Sequence, residues 1–267
     1  MLEGPAWFAS TGELRFVDIR AGKLLALDVA TGKLRQKTVG HSCSAWIARR
    51  DGGSVAACSD SLLFLDTRWR EEYRLPLEPD LPANRANDAK CDPCGRLWIG
   101  TMSETEDAPA GALYRVEHGT TTRVLDGIAV SNGLGWSPDG RRMYYVDSPT
   151  HRVDAFDYEL ATGTPSRRRC LVNTHHLAGS PDGMAIDATG CLWIAFWDGG
   201  AIHRFSPNGA HLASIAVGVT RPTSCAFIGP RLDALAITTA RAPDGTGGDV
   251  YVCTPAVSGL NVADYEA

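Results

Sequence analysis

The sequence predicts an all-β chain folded as a six-bladed β-propeller, on three observations. Short runs rich in aromatic and β-branched residues, among them LRFVDI, SVAAC, RLWIGTM, RMYYVD, VDAFDY and LWIAFW, are bounded by turn-forming sequences such as DPCG, SPDG, DATG and SPNG. The 28 glycines and 15 prolines punctuate these runs instead of pooling in a linker, which leaves little room for helices. A unit of strand, glycine-containing turn, aromatic strand, second turn and third strand then recurs six times.

The first unit is EGPAWFASTGELRFVDIRAGKLLALD and the second CSAWIARRDGGSVAACSDSLLFLD; NDAKCDPCGRLWIGTM with GALYRV makes the third. NGLGWSPDGRRMYYVDSPTHRVDAFDY and DGMAIDATGCLWIAFWDGGAIHRFSP are the fourth and fifth, and PTSCAFIGPRLDALAITTA with GGDVYVC is a weaker sixth. Their starts at Glu3, Cys43, Asn87, Asn132, Asp182 and Pro222 lie 40, 44, 45, 50 and 40 residues apart. Six such units, one blade each, are expected to form a single domain over residues 1–267. A β-sandwich would leave the period unexplained.

Phase within the repeat predicts position in space. Each blade starts with its innermost strand along the central channel, so the residues just before these strands gather on one rim. That rim should hold Glu3, His41, Arg85 to Asp88, Ser131 to Gly133, His175 to Asp182 and Thr220 to Thr223. The turns after each second strand, with Asp18, Met102, Asp147 and Trp197, should reach the same side. SPDG, DATG and DPCG should lie on the opposite face.

Three oxygen-bearing residues share one phase: Glu3 in EGPAW, Asn132 in SNGLGW and Asp182 in SPDGMAID. Each precedes a glycine, which allows close backbone approach to the axis. Singly, SNG and PDG are ordinary turn formers; together, two carboxylates and an amide are a hard-oxygen set suited to Ca²⁺, Mg²⁺ or Mn²⁺, with Zn²⁺ and Fe²⁺ also compatible. Three protein ligands would leave positions for water and substrate. PANRANDAK adds Arg85, Asn87 and Asp88 to the rim, and Arg85 with Asn87 can orient a polyhydroxylated substrate.

Other functions are disfavoured. Twenty-six Lys and Arg against 31 Asp and Glu give a net charge of −5, so no basic excess exists for nucleic acid. No apolar run reaches the ~18 residues of a membrane span, and MLEGPAWFAS lacks the form of a signal peptide, so a cytoplasmic protein is expected. The eight scattered cysteines read mostly as reduced, buried small hydrophobes, and the Cys91/Cys94 pair as part of a hairpin turn. His175 and His176 rank as rim contacts only, and Arg167 to Arg169 as a solvated outer strand or turn. GxSxG and P-loop motifs are missing.

EGPAW, NRANDAKCDPCGRLWIGTM, GALYRV, SNGLGWSPDGRRMYYVDSPTHRVDAFDY and SPDGMAIDATGCLWIAFWDGGAIHRFSPNG resemble, in order and over nearly the whole chain, the senescence marker protein, gluconolactonase and luciferin-regenerating enzyme family. The resemblance implies a six-bladed propeller with one divalent ion on Glu3, Asn132 and Asp182, and substrate-orienting roles for Arg85 and Asn87. Two departures stand out. Family members carry a stretch before EGP that supplies an outer strand, whereas Met1 lies two residues before Glu3, so ring closure is expected from the strand around Asp249 to Cys253. The segment SETEDAPAGALY is short where the family carries an acidic substrate contact, leaving Glu104 and Glu106 as substitutes without a motif match.

The expected activity is opening of a sugar (aldono-)lactone to its aldonic acid by a metal-dependent, gluconolactonase-like hydrolase, with Asp182 as catalytic base and calcium foremost among the ions. The expected partner is the small-molecule lactone, with neither nucleic acid nor membrane, and the state a monomer or small homo-oligomer. A non-catalytic, regucalcin-like calcium- or ligand-binding propeller, and a hydrolase of other esters or organophosphates, are the alternatives.

Overall fold

A computed structural model describes residues 1–40 and 42–266; His41, placed on the rim by its phase, lies outside the described residues. The first blade is β1 (Leu2–Phe8), β2 (Glu13–Asp18), β3 (Lys23–Asp28) and β4 (Leu34–Thr38), and the second is β5 (Cys43–Ala48), β6 (Ser54–Cys58), β7 (Ser61–Leu65) and β8 (Glu71–Pro76). The third is β9 (Asn84–Cys91), β10 (Leu97–Ser103), β11 (Gly111–Glu117) and β12 (Thr120–Ile128). The fourth is β13 (Ser131–Trp136), β14 (Arg142–Asp147), β15 (Arg152–Glu159) and β16 (Thr164–Asn173). The fifth is β17 (Ser180–Ile186), β18 (Leu192–Trp197), β19 (Ala201–Phe205) and β20 (His211–Ala216), and the sixth is β21 (Pro222–Ile228), β22 (Ala234–Thr239) and β23 (Val250–Cys253). Every sheet is an antiparallel meander in chain order. The one helical segment among the described residues is the 3-10 turn Ser148–Thr150, so no helix here is long and apolar enough to cross a membrane.

The six-bladed propeller is thus the fold, and its core lies between blades. Alternation along each strand presents apolar side chains to both neighbouring sheets. Phe8, Leu24, Trp46, Leu63 and Trp69 fill the first interface, and Phe64, Leu97, Ile99 and Tyr114 the second. Trp98, Trp136, Tyr145 and Tyr158 fill the next, Tyr144, Ile194, Phe196 and Phe205 the fourth, and Trp193, Phe227 and Ile237 the fifth. Leu14, Phe16, Leu25, Ile228 and Ala236 join the last blade to the first.

Closure differs from the sequence expectation. β23 pairs with β22 as the third strand of its own blade and makes no strand pairing with the first; Val250 merely packs against the seam cluster. A single segment that must complete the β22 sheet cannot also reach across the seam. The seam is held instead by that cluster and by Thr223 Oγ1 donating to Leu2 O at 2.8 Å, while the chain after β23 ties other blades together. This tail crosses the turn face as a strap. At one end Ala188 N donates to Ser258 O and Leu260 N to Ile186 O; at the other Tyr265 N donates to Ala48 O and Glu266 N to Gly95 O. Tyr265 is 1% exposed and packs on Phe64, their ring centroids 6.0 Å apart. A cavity of about 300 Å³ lies between strap and hub, lined by Asp88, Lys90, Leu260 and Val262 among others.

The turn face is as expected. Asp92 of DPCG accepts from the amides of Cys94 and Arg96, and Asp187 of DATG from those of Thr189 and Cys191. The eight cysteines are free thiols, five of them buried, as expected of most; Cys94, in its hairpin turn, and Cys170 are exposed, and Cys253 is half-buried. Arg167 to Arg169 lie on outer strand β16, paired with Asp157 and Asp154.

Removing the anchor of the strap should loosen the ring. Tyr265→Ala is expected to cost about 3–5 kcal/mol, as for other large core aromatics, whereas Val252→Ala on the exposed edge of β23 should stay within about 0.5 kcal/mol. Urea unfolding of the two variants tests this.

Candidate metal centre at the propeller hub

The residues singled out by phase come together because each innermost strand is irregular at its start. Pairing with the second strand slips between Glu3 and Ala6, between Cys43 and Ala45, between Ser131 and Leu134, between Pro181 and Met184, and between Pro222 and Ser224; in the third blade it slips where Thr101 and Ile99 face Ala86 and Ala89. A bulge inserts an unpaired residue and re-aims its side chain. The register also puts the predicted turn residues on this rim, with Asp18 opposite Leu2, Met102 opposite Arg85, Asp147 opposite Ser131 and Trp197 opposite Ser180.

The glycines after Glu3, Asn132 and Asp182 are required by crowding at the axis. A Cβ on Gly133 would sit 2.6 Å from Asp182 O, and one on Gly183 would sit 2.1 Å from Ser224 Oγ. Gly4 combines a left-handed φ of +55° with a Cβ position 3.0 Å from Ser44 O. Neighbouring inner strands therefore touch at these points, which brings the preceding side chains to one place.

A directed hydrogen-bond relay orients the amides. Arg85 Nη1 donates to Asn87 Oδ1 at 2.7 Å, and Asn87 Nδ2 donates to Asn132 Oδ1 at 2.9 Å and to Ser131 O at 2.7 Å. Asn132 Nδ2 donates to Ser148 Oγ at 2.7 Å, and Ser148 Oγ to Pro181 O at 2.6 Å. The chain of donors runs from the third blade through the fourth to the residue before Asp182. It fixes the Asn132 amide, whose carbonyl oxygen accepts from Asn87 and keeps one lone pair free.

Charge at the hub is unbalanced. Burial, then the neighbouring Asp88, pushes the Glu3 carboxyl up to about 8. Burial, then Glu3 and Asp88, holds Asp182 well above the ordinary aspartate value, and burial raises Asp88 too, opposed by Lys90. Three acids thus repel one another. Arg85 and Lys90 are the basic groups beside them, but Lys90 is engaged with Met184 O and Arg85 leans toward Glu104, 3.7 Å away. Asp88 Oδ2 has no hydrogen-bond partner. Among the described residues no three His, Cys, Asp or Glu side chains gather tightly enough to cage an ion. A divalent cation here would therefore take Glu3, Asp182, the Asn132 oxygen and solvent. That donor set, with its excess negative charge, suits a hard cation and leaves coordination positions open.

The sequence reading placed Asp88 on this rim without giving it a role, and missed Ser148 and Lys90 as parts of the hub. Ser148 follows Asp147, whose phase already placed it on this side; Asp88 and Lys90 alternate on β9, which was the available signal. Glu104 does stand beside Arg85. His175 stacks on His151, ring centroids 4.8 Å apart, and makes no contact with the relay.

Two outcomes test this geometry. Gly133→Ala should cost about 1–3 kcal/mol in urea, as overpacking does, and weaken divalent-ion binding in calorimetry. In protein stripped by a chelator, Glu3 holds its proton more tightly folded than unfolded. Its contribution to stability is full below its ordinary value of 4.5 and is lost as pH rises through about 8. Across that window wild-type stability should fall relative to Glu3→Gln.

The family described as SMP-30/Gluconolactonase/LRE-like region matches residues 1–241. Human regucalcin is 37% identical over 270 residues, an alignment covering 97% of this chain and 88% of regucalcin. Among solved structures, a calcium-binding protein named regucalcin from Agrobacterium tumefaciens superposes with a TM-score of 0.96 at 30% identity, covering 100% of this chain and 94% of that one. A luciferin-regenerating enzyme gives 0.93 at 31% identity, covering 100% and 95%. Profile, relatives and fold agree: the chain belongs to the SMP-30/gluconolactonase/LRE-like family.

Proposed function

We propose that the protein hydrolyses a sugar lactone to the corresponding aldonic acid with the help of one divalent ion, calcium foremost, held by Glu3, Asn132 and Asp182. The observation that carries this reading is the meeting of two mutually repelling carboxyls with a directed Arg85–Asn87–Asn132 relay at one rim, in a chain of this family. The calcium-binding description of the Agrobacterium relative supports the choice of ion. When bound, the cation supplies Lewis-acid polarisation of the lactone carbonyl.

The chain's own residues would do the rest. Arg85, with one Nη donating to Asn87 Oδ1, has further N–H groups for the substrate's hydroxyl and ring oxygens. Asn87 has both amide hydrogens committed, to Ser131 O and Asn132 Oδ1, so it acts by holding Arg85 and Asn132 in place. Asp182 accepts the proton of the attacking water. The water oxygen bonds to the carbonyl carbon, the ring C–O bond breaks, and the proton passes to the departing ring oxygen, giving the open hydroxy acid.

A second reading, a calcium-binding propeller without turnover, is favoured by the regucalcin name of the relatives. A panel of gluconolactones and pentonolactones, assayed after chelation and re-addition of single metals, separates the two. Hydrolysis is expected above the spontaneous rate only with metal restored, and Asp182→Ala should lower kcat by about 10²–10⁴ and weaken ion binding. Full activity in that variant would remove the mechanism; ion binding without acceleration of any lactone would favour the second reading.

A further inference from the structure

Far from the hub, the outer half of the fifth blade brings two imidazoles and a hydroxyl together. His203 of β19 lies directly opposite Ser214 of β20. His211 is three residues from Ser214, a spacing that would put the two on opposite faces of a regular strand. The register slips here: Arg204 faces Ala213, and Phe205 faces His211, leaving Leu212 unpaired. The bulge at Leu212 returns His211 to the face of Ser214 and His203.

The three donor atoms form a closed triangle. His203 Nδ1 is 3.1 Å from His211 Nε2 and 2.8 Å from Ser214 Oγ, and Ser214 Oγ is 3.1 Å from His211 Nε2. Hydrogen bonding serves all three edges only with a divided donor, because a ring nitrogen that carries a proton cannot accept one. A metal facet serves them naturally. Two nitrogens bound at about 2.0–2.1 Å stand roughly 2.9 Å apart as neighbours in a tetragonal Cu²⁺ site and roughly 3.3 Å apart around tetrahedral Zn²⁺. The observed separation falls between.

We infer that His203, His211 and Ser214 form one facet of a transition-metal site on the rim of the fifth blade, for a first-row divalent cation such as Cu²⁺ or Zn²⁺. Imidazole suits these cations, whereas the oxygen set at the hub suits hard ones, so the two sites select different metals. His203 is the rigid half, 8% exposed with its ring edge-on to Phe196 at 4.5 Å. Burial, then His211 and His176, favours its neutral, ligating form. His211 is exposed, so an ion arriving from solvent meets it directly. Solvent completes the coordination, and the bound ion ties edge strand β20 to β19.

The test uses full-length protein with excess Ca²⁺ present. Cu²⁺ is titrated and followed by electron paramagnetic resonance and calorimetry, with Zn²⁺ as competitor. Wild type should bind one Cu²⁺ with the hyperfine pattern of two nitrogens and release it only to a large excess of Zn²⁺, the weaker-binding ion at imidazole. His211→Ala, at an exposed position, should fold normally, lose the two-nitrogen pattern and bind at least ~10-fold more weakly. His203→Gln should behave likewise, while Glu3→Gln should leave Cu²⁺ binding unchanged. Equal affinity and identical spectra for wild type and His211→Ala would overturn the assignment, as would loss of Cu²⁺ binding in Glu3→Gln.

Discussion

Three carboxyl groups, those of Glu3, Asp88 and Asp182, gather around one axis where burial, and for Glu3 and Asp182 the neighbouring acids, disfavour their ionised forms; this is the constraint the rest of the molecule has to accommodate. Left to itself each would turn toward water, or take up a proton. They stay because the strands carrying them touch: the contacts that Gly4, Gly133 and Gly183 permit leave no slack for the chain to retreat. Their gathering therefore rests on backbone packing, which in turn rests on the apolar layers between blades.

Those layers explain how a fold built almost wholly of strands tolerates such a centre. Each blade gives one face to the sheet before it and one to the sheet after it, so a displacement at the hub is resisted by the aromatic cluster on either side. The strap adds a second constraint from the turn face, linking chain segments of the second, third and fifth blades that are far apart in sequence. Polar groups are handled differently at the two faces. On the turn face Asp92 and Asp187 are saturated by amides and arginines. At the hub Asp88 Oδ2 is left without a partner. Saturated carboxylates build turns; unsaturated ones leave something to bind.

Much of this was legible in the sequence because a propeller converts repeat phase into position. Glu3, Asn132 and Asp182 share a phase, and each glycine after them marks a close approach, so the rim and the residues gathered on it followed from spacing. What escaped was set by detail that spacing does not carry. The bulges depend on how two strands slip past one another, and nothing in SNG or PDG announces them. Ser148 joins the relay only because the 3-10 turn after β14 returns it under Asn132. Ring closure was misplaced because the sixth repeat is weak and the strap, which has no counterpart in the repeat, carries no pattern to read. Tyr265, a lone aromatic near the end of the chain, gave no sign that it belongs to the core of the second and third blades.

The joint between the last and first blades has the smallest apolar cluster among the described residues, and it lies next to the strand that bears Glu3. Local openings in a folded protein concentrate where apolar contact is thinnest. A breathing motion at this joint would carry Glu3 away from the axis while Asn132 and Asp182, whose strands touch at Gly133, stay together. The residence time of an ion held by the proposed set would then be tied to how often the ring parts. Escape would begin with the withdrawal of a single carboxylate rather than with the simultaneous loosening of all three side chains.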